Sequence, residues 1–294
     1  MSDQQSASYT QVAPPMAARE QSRRASPAWW VMFSKELSQL WLGGKAPILL
    51  LLFFVLQGVL IYLMVSNTSD PTPPKEMLYF TLENAIAFGL LIGLIVGADS
   101  ISGERERLTL EALLLTPATG RQLIVGKFLA GISPWPAALA ITIPMLVVLA
   151  QGDEALAPAV LWGTIMGTLM ATSFTALGMV ISAWSNSNKT SLSVSLVMYI
   201  IFFIPTQLPS GGQAGRYGRL LKRLNPMESN GHFLEKVLVN NRGFAEFWPW
   251  LASPVVLAVI VFVLLFLWPV PELGLEAGDL DILRWFRKHD TEIV

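Results

Sequence analysis

Residues 77–98 read Met77-Leu78-Tyr79-Phe80-Thr81-Leu82-Glu83-Asn84-Ala85-Ile86-Ala87-Phe88-Gly89-Leu90-Leu91-Ile92-Gly93-Leu94-Ile95-Val96-Gly97-Ala98. A helix that crosses a bilayer needs about 20 predominantly apolar residues, and this run supplies them with one formal charge, Glu83. Five further runs of the same character accompany it: Ala46–Ser66, Phe128–Ala150, Ala159–Ala183, Ser191–Leu208 and Trp250–Trp268. Inside all six, Glu83 is the only formal charge. The chain as a whole is 53% hydrophobic and 14% charged, where soluble domains carry about 25% charged residues. The expected fold is therefore an all-α integral membrane protein with six transmembrane helices.

Composition also narrows the function. A net charge of −1 gives no basic face for nucleic acid. With no cysteine, disulfides and thiolate chemistry are excluded. Two histidines, His232 and His289, cannot assemble a metal cluster unaided. No Gly-x-x-x-x-Gly-Lys-Ser/Thr loop is present, and no Ser/His/Asp set or carboxylate pair falls within the apolar runs. Any ATP hydrolysis that drives this protein is expected on another chain, with ATP and Mg held there and no cofactor in this one.

Residues 1–26 are polar and rich in Ser, Gln, Ala and Pro, and are expected to form a disordered cytoplasmic tail rather than a signal peptide. Ser26-Pro27 is a helix-start pair. The residues that follow place Trp30, Phe33, Leu37, Leu40 and Trp41 on one side and Ser34, Lys35, Ser38 and Gln39 on the other. That pattern suits a helix lying at the membrane interface, or a plain lead-in to the first span, with Gly43-Gly44 as a break. Lysine and arginine set orientation. With both termini inside, 13 of the 20 fall on the cytoplasmic side and 7 outside, six of these in the segment between Pro209 and Phe247. Trp41, Trp184 and Trp268 then mark inner boundaries, and Trp162, Trp248 and Trp250 outer ones. The C-terminal tail, residues 269–294, is assigned to the cytoplasm, with an interfacial helix expected over Asp279–Lys288.

Within the second span, Ala85, Gly89, Gly93 and Gly97 put a small residue at every fourth position, and Gly163 and Gly167 repeat the device in the fourth. Small residues permit close helix approach in lipid, either as static packing within one subunit or as a seam along a pathway or between subunits. Glu83 and Asn84 sit about two turns inside the outer end. An ionisable group there faces protein or water, as a substrate or proton contact or as a hydrogen-bonded structural group. Gln57 reads as a helix contact. Pro134, Pro136, Pro144 and Pro205 predict kinks, and Trp135 reads as an interfacial anchor.

Between the second and third spans lies Gly103-Glu104-Arg105-Glu106-Arg107-Leu108-Thr109-Leu110-Glu111-Ala112-Leu113-Leu114-Leu115-Thr116-Pro117. It is expected to form a short helix, with acids at its positive end and a stop at Thr116-Pro117. Thr119-Gly120-Arg121-Gln122 has capping-box spacing and restarts a helix toward the third span. A lever that receives force and a solvated connector both fit this pattern.

The residues Gly103-Glu104-Arg105-Glu106, Thr109-Leu110-Glu111, Leu114 and Thr116-Pro117, followed by Gly126-Lys127, resemble the coupling region of ABC-2-type transporter permeases. Leu224-Asn225-Pro226, Phe233, Val237, Asn240 and Arg242-Gly243 resemble the external segment before the last span, closest to the subgroup of copper-enzyme maturation and gliding motility. The resemblance covers roughly residues 27–268. It implies an elbow helix at 27–41 and a cytoplasmic coupling helix carrying Glu104, Arg105, Glu106, Arg107, Thr109, Leu110, Glu111, Leu114 and Pro117. It further implies a bacterial cytoplasmic membrane location, two permease copies and two ATP-binding subunits, and export of a lipid, glycan, drug or similar amphiphile. Two other readings stay open. One is a carrier or channel independent of ATP that uses Glu83; the other is a non-transporting relay to an external protein at residues 209–247.

Overall fold

The computed structural model describes residues 27–66, 72–107, 119–207, 216–240 and 243–266, and every regular element among them is helical. Helix α1 (Ala28–Leu42) ends at Gly43, and Gly44 takes a left-handed φ of 83° that glycine adopts freely. Then follow α2 (Lys45–Val65), α3 (Pro74–Asp99), a single extra turn α4 (Ser102–Glu106), α5 (Gly120–Ile132), α6 (Pro134–Ala150) and α7 (Leu156–Trp184). After these come α8 (Asn188–Phe203), α9 (Arg216–Leu224), α10 (Pro226–Leu238), α11 (Phe244–Phe247) and α12 (Ala252–Phe266). The expected tails, the 279–288 helix and residues 108–118 lie outside the described residues.

Six segments are long and apolar enough to cross a membrane: 45–65, 74–106, 120–150, 156–184, 188–207 and 248–266. Each overlaps one of the six runs read from the sequence, but the second continues past Ala98 to Glu106 and the third starts earlier, at Gly120. There Thr119 and Gln122 form the expected capping box. The third segment breaks at Ser133-Pro134 between α5 and α6. The fifth ends in a 3-10 turn, Ile204–Gln207, that contains Pro205.

Burial separates the spans into two kinds. In the second and fourth, 67% and 61% of the central stretch is buried, against 17% in the first and fifth. The core is the α3–α7 seam, and glycine sets its spacing. A Cβ on Gly97 would lie 2.3 Å from the Thr175 carbonyl oxygen, and one on Gly178 would lie 2.4 Å from that of Leu94. Gly93 meets the Thr175 hydroxyl at 2.6 Å. The small-residue stripe is thus packing inside one subunit.

Trp135 corrects the anchor reading. Its indole is buried in the gap between Gly89 of α3 and Gly167 of α7, where an added Cβ would fall 2.5 and 2.4 Å from the ring. Nε1 donates to Thr168 Oγ1 at 3.0 Å. Trp135→Phe is expected to lower stability by about 1–2 kcal/mol, combining a lost hydrogen bond with a small void; thermal unfolding in detergent measures it.

Gln57 is fully buried and donates from Nε2 to the Thr81 carbonyl at 2.7 Å, which fixes α2 on α3. At the far end, α10 packs into the mouth of the bundle instead of projecting from it. Phe233 meets Trp162 edge-on at 5.4 Å. Asn225 caps α10 through Met227 and Glu228 N–H, and its Nδ2 donates to the Phe202 carbonyl at 2.8 Å. The tryptophans also divide: Trp184 and Trp248 are exposed, whereas Trp41 donates to Ser133 Oγ at 2.9 Å and Trp250 meets His232 at 4.0 Å.

Candidate functional site

The charged turn α4 leaves the second span at the end of the bundle opposite α10, and three helices converge on it. Gly126 allows the first approach. A Cβ there would stand 2.8 Å from the Met32 side chain and 2.9 Å from the Trp29 carbonyl, so α1 and α5 nearly touch. One turn beyond Met32 on α1 comes Glu36, and one residue beyond Gly126 on α5 comes Lys127; the contact brings them face to face.

Lys127 is the centre of the cluster. Its side chain has no exposed surface, and Nζ lies 2.9 Å from Glu36 Oε1 and 2.7 Å from Glu104 Oε2. It also donates to the Ser100 carbonyl at 2.9 Å. Lys35 closes the ring from the solvent side, 3.1 Å from Glu104 Oε1 and 3.4 Å from Glu36 Oε1. Two cations and two carboxylates alternate, so each buried charge has an opposite neighbour, as burial demands.

The other flank of α4 is pinned to the α7–α8 connection. Ser182 Oγ accepts from the N–H groups of Ile101 and Ser102 at 3.1 and 2.8 Å, which satisfies donors freed where the long helix breaks. Arg105 donates to the carbonyls of Ser185 and Ala183. Glu106 Oε2 accepts from the Asn188 N–H at 3.1 Å, at the positive end of α8. Asp99 accepts from Asn188 Nδ2 at 2.8 Å and pairs with Lys45 of α2. Gly103 gives Asp99 its space, since a Cβ would come within 2.4 Å of Oδ1.

Of the residues assigned to coupling, Glu104, Arg105 and Glu106 therefore reach three different neighbours inside the subunit, and Arg107 is exposed. Thr109, Leu110, Glu111, Leu114 and Pro117 lie outside the described residues. Glu83 and Asn84 are at the opposite end. Asn84 Nδ2 donates to the Phe80 carbonyl at 2.8 Å, and the Tyr79 hydroxyl donates to the Glu83 carboxylate. Gly89, Gly93 and Gly97 line the seam between. Just beyond the spans, burial holds the His232 imidazole below its ordinary value despite Glu235 at 3.7 Å.

Sequence reading missed the parts played by Lys35, Glu36, Asp99, Lys127, Ser182 and Asn188. A signal existed for two of them. Lys127 is a lone cation among Ile124, Val125, Phe128 and Leu129, and Glu36 is the single acid of the interfacial helix. Among the described residues, no group of three His, Asp or Glu side chains could hold a metal ion.

The ion ring joins α1, α4 and α5. Six helical segments able to cross a membrane, with a charged turn tied to α1, α5 and the α7–α8 connection, define an all-helical integral membrane bundle. Residues 30–267 match the family model described as ABC-2 family transporter protein, and the chain belongs to that family. It is a membrane permease subunit of an ABC transporter, a class that is not itself catalytic and generally works with an ATP-binding subunit. No curated protein gives a significant match.

Proposed function

We propose that this chain is the membrane subunit of an ATP-driven exporter of amphiphiles, seated in a bacterial cytoplasmic membrane with both termini inside. Two copies pair with two ATP-binding subunits, which carry ATP and Mg. Residues 103–117 receive the ATPase stroke, with α1 as the elbow helix. The observation that carries the reading is the clamped turn α4. Because Glu104, Arg105 and Glu106 bind α1, α5, the α7–α8 connection and α8, a force on the segment beyond Arg107 moves all of them together with α3. The weakly buried α2 and α8 leave an apolar wall for lipid and for the second copy, with Val197 and Ile201 of α8 and Ile204 just after it exposed. Membership of the copper-maturation and gliding subgroup rests on the likeness at 224–243 alone. A relay to an external protein at residues 209–247 would use α9, where Leu220 and Leu224 are exposed, rather than α10, most of which is buried.

The test is purification of the tagged chain in mild detergent, followed by identification of what accompanies it. Glu104 is unsuited to charge reversal because it holds the ion ring. Arg107→Glu with Glu111→Lys is the informative pair: an ATPase is expected with wild type and lost with the variant, at an unchanged melting temperature. Absence of an ATPase from wild type in every gentle extraction would sink the exporter reading.

A further inference from the structure

Glu83 is placed where a carboxylate is costly, and among the described residues no salt bridge reaches it. The helix that covers it is α10: a Cβ on Gly231 would come within 2.8 Å of Glu83 Oε1. Three described cations of that region are engaged elsewhere, Lys222 with Glu228 at 3.4 Å, Lys236 with Glu235 at 3.2 Å and Arg223 over the Trp250 ring at 5.3 Å. Among the described residues, no Lys, Arg or His forms an ion pair with Glu83. Its partner is a neutral hydroxyl, that of Tyr79.

Beside Glu83 is a cavity of about 180 Å³ between α3, α7, α10 and the end of α8. Two aromatic rings line it, Phe80 and Phe203, along with the thioethers of Met170 and Met227. Phe203 is held by stacking on Tyr199, with centroids 5.4 Å apart and planes at 15°. Tyr199 is in turn fixed by donation to the Ala87 carbonyl at 3.1 Å. Asn230 also lines the cavity. It is 4% exposed, and its Oδ1 meets no donor.

A carboxylate, an unanswered acceptor and two aromatic residues, in a cavity that the side chains of Asn84, Thr206 and Gln207 also line, form a receptor for a positively charged organic group. Aromatic faces attract such cations through the ring quadrupole, more strongly when water is excluded. Thioethers adapt to irregular shapes. We infer that this cavity binds an alkyl- or aryl-ammonium group, with Glu83 as its counter-ion and Phe80 and Phe203 as its walls. On the exporter reading, this makes the cargo a cationic amphiphile.

The experiment uses the full chain in lipid nanodiscs and calorimetric titration with two probes. One is benzyltrimethylammonium; the other is dimethyl benzyl carbinol, a neutral alcohol of nearly the same shape. Wild type is expected to bind the cation about tenfold or more tighter than the alcohol. Glu83→Gln, which keeps the side-chain shape and an acceptor for Tyr79, removes that preference and leaves alcohol binding unchanged. Phe203→Leu, which leaves the Glu83 carboxylate in place, weakens the cation severalfold by removing a π system. Equal binding of the two probes by wild type, or unchanged cation affinity in Glu83→Gln, overturns the proposal. The two readings fail separately. Loss of cation selectivity while an ATPase still co-purifies leaves the exporter standing, and selective binding without any ATPase leaves the cavity standing alone.

Discussion

Lys127→Met is expected to destabilise the protein by about 3–5 kcal/mol, the cost of leaving buried charge uncompensated. Methionine keeps most of the side-chain length and fills the same space, so the loss isolates the charge. Without Nζ, Glu36 and Glu104 lose the cation that stood 2.9 and 2.7 Å from them, and the Ser100 carbonyl loses its donor. The helix held most directly by this contact is α1, so limited proteolysis within residues 28–42 should accelerate along with the drop in melting temperature. Lys35 provides the contrast. At 38% side-chain exposure, its ion pairs are screened, and Lys35→Met should cost no more than about 1 kcal/mol. Adding Glu36→Gln and Glu104→Gln to Lys127→Met should restore most of the stability, because no buried charge is then left unpaired and the remaining Lys35 is 38% exposed. A Lys127→Met protein that melts like wild type would refute the assignment of Lys127 as the centre.

Gly97→Leu is expected to abolish the folded bundle, and Gly97→Ala to cost about 1–3 kcal/mol, the usual range for overpacking a filled interior. The seam has no slack at this point. The Cβ position of Gly97 is 2.3 Å from the Thr175 carbonyl and 3.0 Å from the Met179 N–H, and backbone cannot step aside as a flexible side chain can. Gly178 faces the reciprocal obstacle, so Gly178→Ala should cost a similar amount, and the double alanine variant should be non-additive because both push the same helices apart. Gly58 of α2 has no atom within 4 Å of its Cβ position, and Gly58→Ala should leave the melting temperature unchanged or slightly raised. Size-exclusion profiles and thermal unfolding separate these outcomes. If Gly97→Ala behaves like Gly58→Ala, the described approach of α3 and α7 is wrong.

The six crossing helices were legible because lipid imposes one strong, local rule: about 20 apolar residues in a row. The capping box at Thr119 was legible for the same reason, since its partners stand three residues apart. Pairings across long separations were not. Nothing near Glu104 in sequence shows that its partners are Lys35 and Lys127, or near Asp99 that it waits for Lys45 and Asn188. A charge at the edge of an apolar run satisfies the solvent-facing reading and the buried reading equally. Trp135 was misread on the same ground: tryptophan beside prolines at a span's edge suits an interface, and only the facing Gly89 and Gly167 turn it inward. The glycine stripe itself was visible, while its use within the subunit needed the partner helix. For Glu83 the sequence showed the cost of its position, and the structure supplied the cavity beside it.

The Gln57 contact bears on how the chain is made. The second span carries Glu83 and lies mostly against α7, a helix synthesised only after the whole third span. Until then it would sit in lipid with its polar groups poorly matched. The first span is apolar on nearly every side and is emitted just before it, with Gln57 aimed at the Thr81 carbonyl. The two can leave the insertion machinery as a hairpin already joined by that hydrogen bond. Later, α7 arrives with Thr172 and Ser173 bonded to its own carbonyls, so it can enter the bilayer unaided and dock. The barely buried first helix can thus act as an escort for the costly second span until its permanent neighbour is made.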